Sequence, residues 1–126
     1  MKFEIVVESP PAGVDYGLQL GKGTDYTTVQ LQRSKGKDLH FEFELEWTGS
    51  AFRGKALQGP PKERFIYIDI GAAAGQVGTH WSRRLKVPFV GIDATHESWT
   101  TRVPGTARDG GPNCATVKPF SGWQKK

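Results

Sequence analysis

Aromatic, basic and amide side chains occur together at three places along the chain and could bind a polar ligand. Tryptophan and arginine offer flat faces and several hydrogen-bond donors, which suit stacking on rings and holding anions or hydroxyl groups. Because loops at one end of a β scaffold often carry binding residues, we predict that these groups converge there. The alternative is that Trp81 packs in the core and the arginines are solvated. The predicted ligand-binding residues are Tyr16, Gln19 and Lys22 in an early loop, His80, Trp81, Arg83 and Arg84 in the middle of the chain, and Arg108, Asp109 and Asn113 near its end.

A single cysteine, Cys114, is the candidate for nucleophilic catalysis. A catalytic thiol needs a nearby base and surroundings that stabilise the thiolate. His80, His96 and Asp109 are candidate partners, but nothing in their spacing brings them to Cys114. The residues around Cys114 suit a strand with a buried thiol equally well. We therefore favour a protein that is not an enzyme, with a small hydrolase or lyase that uses Cys114 or an Asp/His pair as the alternative.

Two carboxylates, Asp69 and Asp93, lie in apolar stretches of the sequence. A buried carboxylate must be paired or must have a shifted pKa. Arg64, Arg83 and Arg84 are the candidate partners. We interpret each carboxylate as half of a structural ion pair, with an acid–base pair as the alternative.

Metal and cofactor sites are not indicated by the sequence. The three histidines, His40, His80 and His96, are dispersed, and no cysteines or histidines have metal-binding spacing. The segment Gly21–Thr24 lacks the spacing of a phosphate-binding loop, and Gly71–Gln76 lacks the glycine order of a dinucleotide fingerprint. We therefore predict neither a metal nor a cofactor, and interpret both segments as turns or close backbone approaches.

The charge balance permits an anionic partner without requiring one. The chain has 17 lysines and arginines against 13 acidic residues, a formal net charge of +4 that is spread along the sequence. No continuous basic stripe and no RNA-binding aromatic string is present, so nucleic acid is not favoured as a partner. No apolar run reaches the length of a transmembrane helix, so we expect no membrane insertion. The lone cysteine favours a reducing compartment, the cytoplasm.

The clearest element that could position these groups is a strand from Leu39 to Trp47. Apolar and polar residues alternate throughout this segment, which places the apolar set against a core and the acids in solvent. A helix would scatter the phenylalanines around its circumference. The inward set is Leu39, Phe41, Phe43, Leu45 and Trp47, and the outward set is His40, Glu42, Glu44 and Glu46.

Further strands are predicted where β-branched and aromatic residues recur between turn residues. Both faces of 64–70 are apolar, so this strand is expected in the centre of a sheet. Pro88 lacks a backbone donor, so its strand is expected at an edge or at a bulge. Residues 25–36 fit a short helix and a strand equally well. The other predicted strands cover residues 2–8, 85–92, 99–103 and 114–118.

These elements predict a mostly β fold. Sixteen glycines and eight prolines, many of them clustered, suit short strands joined by turns. We expect an antiparallel β-sandwich or small barrel of about six to eight strands, with at most one or two short helices. No linker is long enough to split the chain, so residues 1–126 are expected to form a single domain.

Six strings in the chain also carry a family resemblance. They are Phe3–Val7, Gly17–Gly23, Asp38–Phe43, Gln58–Pro61, Trp81–Lys86 and Arg108–Thr116. Together they resemble an uncharacterised bacterial family, catalogued as domain of unknown function 5990, over nearly the whole chain. The resemblance implies a bacterial source, and it brings no activity, cofactor or catalytic residue.

The leading hypothesis is therefore a non-catalytic β domain that binds a small polar or anionic ligand, or a protein partner, through the loop tryptophan, arginine and glutamine residues. The catalytic alternative requires a pocket that holds at least two of the candidate acid, base and thiol groups. A third hypothesis is a protein-interaction scaffold, which would show an exposed apolar patch or an unpaired sheet edge.

Overall fold

Eleven β-strands occur in the residues described by the computed structural model, which are 1–22, 25–48, 51–53, 65–72, 83–89, 91–93, 95–105, 114–116 and 122–126. These ranges contain no helix, so the predicted mostly β class is confirmed. Within them, accordingly, no helix is long and apolar enough to cross a membrane. The ambiguous segment forms a strand over Asp25–Arg33.

The strands form two larger sheets and one short ribbon. The first sheet contains β1 (Lys2–Glu8), β4 (Leu39–Glu44), β9 (Ser98–Pro104) and β11 (Gln124–Lys125), in the order β11-β9-β1-β4. The second contains β2 (Asp15–Lys22), β3 (Asp25–Arg33), β7 (Phe65–Ala72), β8 (Arg83–Pro88) and β10 (Cys114–Thr116), in the order β10-β8-β7-β2-β3. The ribbon pairs β5 (Glu46–Trp47) with β6 (Phe52–Arg53).

Two strand pairs are parallel, which corrects the expectation of antiparallel sheets. β1 runs parallel to β9, and β8 runs parallel to β10, while the other described pairs are antiparallel. A parallel pair needs a long crossover connection, and residues 9–97 supply one between β1 and β9. Among the described strands no sheet closes into a barrel.

The alternation predicted from Leu39 to Trp47 is present in the structure. Phe41 and Leu45 are buried, and the outward histidine and three glutamates are exposed. The segment is divided because β4 ends at Glu44 and β5 begins after Leu45. Leu45 nevertheless continues the pairing with β1: its N–H donates to the Met1 carbonyl at 3.0 Å, and the Met1 ammonium donates to the Leu45 carbonyl at 3.1 Å.

One hydrophobic core joins the two sheets, as in a two-layer sandwich. Phe3, Ile5 and Val7 point inward from β1, and Leu18 and Leu20 point inward from β2, all within a single cluster. Each set lies at every second position of its strand, as a period of two predicts, although β2 is also buried on its other face at Asp15 and Gln19. At one end the cluster is aromatic and includes Phe3, Phe43, Phe52, Phe89 and Trp123.

The central position predicted for residues 64–70 is confirmed, because β7 lies in the middle of the five-stranded sheet. The edge position predicted for the Pro88 strand is wrong, because β8 lies between β7 and β10. Pro88 is tolerated there as the last residue of β8. In the described residues, β10 pairs only with Arg84–Lys86, so Pro88 is not required to donate to it.

The early loop predicted around Gln19 is a strand, β2, that forms a hairpin with β3. Gly17 and Gly21 suggested a loop, but both lie in the pairing register of this hairpin. The register shifts once: Leu18 pairs with Gln30 and Gln19 with Thr28, so Val29 is an extra residue, a β-bulge. Because of the bulge, the residues before and after Val29 alternate between the two faces in opposite phase. The sequence of 25–33 therefore lacks the continuous alternation that predicts a strand.

Two glutamines connect the edges of the two sheets. Gln32 Nε2 donates to the His40 carbonyl at 2.9 Å, and Gln30 Nε2 donates to the Glu42 carbonyl. The donors lie on β3, the last strand of one sheet, and the acceptors lie on β4, the last strand of the other. Side-chain amides thus take the place that a further strand would occupy beside β4.

Candidate functional site

Half of the predicted ligand-binding residues fall in described strands. Tyr16, Gln19 and Lys22 belong to β2, and Arg83 and Arg84 belong to β8. The two strands lie on either side of β7, so these five residues belong to one sheet but not to adjacent strands. The other predicted residues, His80, Trp81, Arg108, Asp109 and Asn113, lie outside the described residues.

Tyr16 is part of the core and is not presented on a loop. It is fully buried, and its hydroxyl donates to the Gly105 carbonyl at 2.9 Å. The Gly105 N–H in turn donates to the Glu8 carbonyl at 2.8 Å. Tyr16 therefore connects β2 to the turn that follows β9, and its ring packs with the inward leucines of β2.

Gln19 lies on the opposite face of β2 from Tyr16. It is fully buried, and the same face carries Asp15, which is also buried. Arg33 holds Asp15 with two bonds, from Nε at 2.9 Å and from Nη2 at 3.3 Å. The hydrogen bond from Arg33 to Asp15 and the attraction of the two charges raise the pKa of Arg33.

The register of the five-stranded sheet defines what we call the polar face. Gly17 is paired with Asp69, Asp69 with Arg84, and Arg84 with Cys114, which makes one row across four strands. The next row on the same face contains Gln19, Tyr67, Lys86 and Thr116. The polar face therefore brings together the candidate positions of Gln19 and Arg84. Arg83 pairs with Ile70 in the row next to that of Arg84, on the side away from Lys86, and belongs to the other face.

Arg84, one of the three candidate partners of Asp69, occupies the paired position on the neighbouring antiparallel strand. The ion pair itself stays a prediction, because both side chains lie outside the described part of the chain. Cys114 and Asp69 lie on either side of β8, so about 10 Å, two strand spacings, separates their backbones.

Asp93 differs from its prediction as a buried strand carboxylate. β8 ends at Pro88, and Asp93 is exposed in the turn that follows. Its Oδ1 accepts hydrogen bonds from the Thr95 hydroxyl and the Thr95 N–H, both at 2.7 Å. These two bonds lower the pKa of Asp93, because they stabilise the carboxylate form. Asp93 therefore shapes a turn.

The described part of the chain does not bring the candidate acid, base and thiol groups together in one site. His80 and Asp109 lie outside the described residues. His96 Nε2 lies 3.1 Å from the Lys126 carbonyl, and its ring meets the edge of Trp99 at a centroid distance of 5.7 Å. No group of three or more metal-ligating side chains occurs in the described ranges.

A carboxylate of the other sheet, Glu4, is the best-connected ionised group among the described side chains. Its Oε2 lies 3.1 Å from Lys126 Nζ and 3.2 Å from His40 Nδ1, and its Oε1 accepts the Thr100 hydroxyl at 3.1 Å. The side chain is only 13% exposed. These contacts link β1 to β4, to β9 and to the residue after β11.

The environment of Glu4 favours its ionised form. Burial by itself raises the pKa of a carboxyl group. The hydrogen bonds from Lys126, His40 and Thr100 outweigh this effect, and the charge of Lys126 adds to them. The pKa of Glu4 is therefore held below its ordinary value.

Beside Glu4, a groove of about 440 Å³ crosses the outer face of the four-stranded sheet. We call it the charged groove. Its polar lining comes from Lys2, Glu4, Glu42, Glu44, Ser98 and Lys126. The other lining residues, Phe3, Phe43 and Trp99, pack in or against the core. A second hollow of about 360 Å³ shares Lys2 and Glu44 with it and reaches Trp47. No pattern in the sequence predicts these two cavities.

Comparison with known proteins places the chain in a family. A family model described as a family of unknown function, DUF5990, matches residues 1–126. The chain belongs to the DUF5990 family. No curated protein and no solved structure matches the DUF5990 chain. The resemblance carried by the six sequence strings is thereby confirmed.

Sequence reasoning missed the Glu4 cluster of the DUF5990 chain for a physical reason. The alternation of β1 correctly predicts that Glu4 points outward, and an outward glutamate is ordinarily solvated. Its partners come from β4, β9 and the segment after β11, which the sequence does not show to be neighbours of β1. Only strand order and register could have identified the cluster.

The Glu4→Gln variant of the DUF5990 chain should lose less stability than wild type when the pH is lowered. Because the pKa of Glu4 is lowered, its ionised form stabilises the folded state fully above its ordinary value of 4.5, and this contribution is lost as the pH falls through the lower folded pKa. Urea midpoints measured from neutral pH down to about pH 2.5 should therefore fall further in wild type than in Glu4→Gln.

The matched control for this experiment is Glu46→Gln. Glu46 is exposed and has no ion pair among the described residues, so its loss should leave the pH profile of wild type unchanged. If the urea midpoints of wild type and Glu4→Gln fall equally between neutral pH and about pH 2.5, the Glu4 contacts do not form in solution.

Proposed function

We propose that the DUF5990 domain is a non-catalytic module that binds a small polar or anionic ligand on the polar face of its five-stranded sheet. The observation that carries the proposal is the strand register, which gathers Gln19 and Arg84 from distant parts of the chain.

The charge of the polar face favours an anionic group on the ligand. Arg84 and Lys86 occupy alternate positions of β8, about 7 Å apart along the strand. Arginine offers a planar fork of donors to an anion, and lysine offers a mobile ammonium group. Asp69 is the register neighbour of Arg84, so the sequence sets a carboxylate and a guanidinium group at paired positions.

The β2 part of the polar face is already covered by the protein. Gly17 and Gln19 are both buried there, so the ligand is expected at the β8 part of the face, where positions 84 and 86 lie. The ion pair of Asp15 and Arg33 lies on the same face of β2. These groups supply a polar floor with fixed positions, which favours one binding geometry over many.

Arg84→Ala tests this proposal through ligand-induced stabilisation. Wild-type protein is heated alone and with inorganic phosphate, citrate or ribose 5-phosphate. A ligand present at about 100 times its Kd stabilises the folded state by about 2.7 kcal/mol, so a bound probe raises Tm by several degrees. We expect at least one probe to do so, and Arg84→Ala to weaken its binding about tenfold or more.

The control variant is Arg53→Ala, which removes an exposed arginine from the β5–β6 ribbon. Each variant is compared with and without probe, so a change in intrinsic stability cancels. Arg53→Ala should keep the full Tm shift. Equal shifts in both variants, or no shift with any probe in wild type, would contradict an anion site that uses Arg84.

We further propose that this module works in a reducing compartment, the cytoplasm of a bacterium. The support is compositional, since the single cysteine cannot form an internal disulfide. Fractionation of the source cells, followed by detection of the native protein, would test this. Recovery from a secreted or periplasmic fraction would contradict it.

A further inference from the structure

We propose that the charged groove on the four-stranded sheet is a second binding site, which takes a short peptide with free termini. The ammonium end of the peptide lies at Glu42 and Glu44, and its carboxylate end lies at Ser98 and Lys126. This site is separate from the polar face, because its residues belong to the other sheet.

The charges along the groove are arranged in the order that such a dipolar ligand requires. Lys2 is in register with Glu44 on one side and with Ser98 on the other. The Lys126 N–H donates to the Ser98 carbonyl at 3.0 Å, which places Lys126 beyond Ser98 in the same row. Acids therefore lie at the β4 end, and a hydroxyl and an ammonium group lie at the β9 end.

The length of this row matches a short extended peptide. Three strand intervals separate the backbone of Glu44 from that of Lys126, a span of about 14 Å. Three extended residues reach about 10 Å, and the side chains of Glu44 and Lys126 lean toward the ligand over the remaining distance. The groove volume of about 440 Å³ also lies within the range of ligand pockets.

The acidic end of the groove has carboxylates that are available to a ligand. Glu44 and Lys2 lie 4.0 Å apart, and their side chains are 71% and 72% exposed. An ion pair this exposed contributes little to stability, so a ligand ammonium group displaces Lys2 at little cost. Glu42 is exposed and has no ion pair among the described residues.

The basic end is held in position by the Glu4 cluster. Lys126 Nζ lies 3.1 Å from Glu4 Oε2, and the Lys126 side chain is 49% exposed. Its ammonium group is therefore held in position by Glu4 and is still accessible to a ligand. An ammonium group carries three donors, and one contact with Glu4 leaves others for a ligand carboxylate. Phe43 and Trp99 also line the groove, but both pack in or against the core, so little apolar surface lies between the two ends and short side chains such as alanine suit it.

The test uses tri-alanine as the probe and amide chemical shifts as the readout. Titration of the full chain should shift the amide signals of Glu44 and Ser98 together, with a single Kd. Acetylation of the peptide N-terminus, or amidation of its C-terminus, should each weaken binding about tenfold, because each removes one charged end. Glu44→Gln should weaken tri-alanine binding at least fivefold.

Two controls make the result specific to the groove. Glu46→Gln changes the same charge two residues further along the chain and outside the groove, so it should bind tri-alanine like wild type. Arg84→Ala should also bind like wild type, which separates this site from the polar face. Absence of shifts, equal binding of a peptide blocked at both ends, or equal weakening by Glu44→Gln and Glu46→Gln would overturn the proposal.

Discussion

Replacing Phe3 with alanine should lower the free energy of unfolding by about 3–5 kcal/mol, the range for removal of a buried phenylalanine. Phe3 is 2% exposed and lies at the centre of the aromatic end of the core. Its ring centroid lies 5.4 Å from that of Phe43, 5.5 Å from Phe89 and 5.2 Å from Trp123. Since these neighbours belong to different elements, they cannot collapse together to fill the cavity.

Urea unfolding followed by tryptophan fluorescence measures this effect. Glu44→Ala, on the exposed face of the neighbouring strand, should change the free energy of unfolding by less than about 0.5 kcal/mol. A loss below about 1 kcal/mol for Phe3→Ala would mean that the two sheets do not pack through this ring.

Replacing Gly105 with alanine should cost about 3 kcal/mol, because the added methyl group meets backbone atoms that cannot move aside. A Cβ at this position would lie 2.7 Å from the Glu8 carbonyl oxygen and 2.8 Å from the Pro10 Cα. Overpacking alone costs about 1–3 kcal/mol. Displacement of the turn also weakens the bonds that Gly105 makes with Glu8 and with the Tyr16 hydroxyl.

Tyr16→Phe is the control that separates these contributions. It removes only the hydroxyl that donates to the Gly105 carbonyl, and loss of this buried hydrogen bond should cost about 1–2 kcal/mol. A double-mutant cycle should show coupling between the two positions. If Gly105→Ala is no more destabilising than Tyr16→Phe, the close approach of Gly105 to Pro10 does not limit packing.

Much of the fold could be predicted from local sequence pattern, because apolar and polar residues alternate in a strand that buries one face of its sheet. β1, β4 and β9 each alternate between buried and exposed positions over most of their length, so their existence and inward faces could be predicted. Phe43 is a partial exception. It belongs to the inward set but is only half-buried.

Strands whose pattern is broken were not predictable in the same way. Glycines at 17 and 21 gave β2 the composition of a loop, although pairing with β3 and β7 stabilises it from both sides. The bulge at Val29 shifts the phase of β3, so neither a helical nor a strand period persists through it. Tertiary pairing decides the conformation of both segments.

The candidate sites depend on register, which no local pattern contains. Gln19 and Arg84, selected by residue chemistry, share one face of the sheet, whereas Tyr16, selected for the same reasons, is a core residue. Neither the row of Asp69, Arg84 and Cys114 nor the partners of Glu4 could be derived without strand order.

The bridge of Gln30 and Gln32 to β4 has a consequence for self-association. An unpaired strand edge is a template on which a neighbouring molecule can polymerise by adding its own strand. In this chain the outermost carbonyls of His40 and Glu42 are already occupied by amide groups from β3. The bulge at Val29 distorts β3 as well, so an incoming flat strand finds no regular ladder there. The edge strands β3 and β4 therefore oppose fibril-like growth at this side of the sandwich. They do so although β3 has no charged residue between Tyr26 and Gln32.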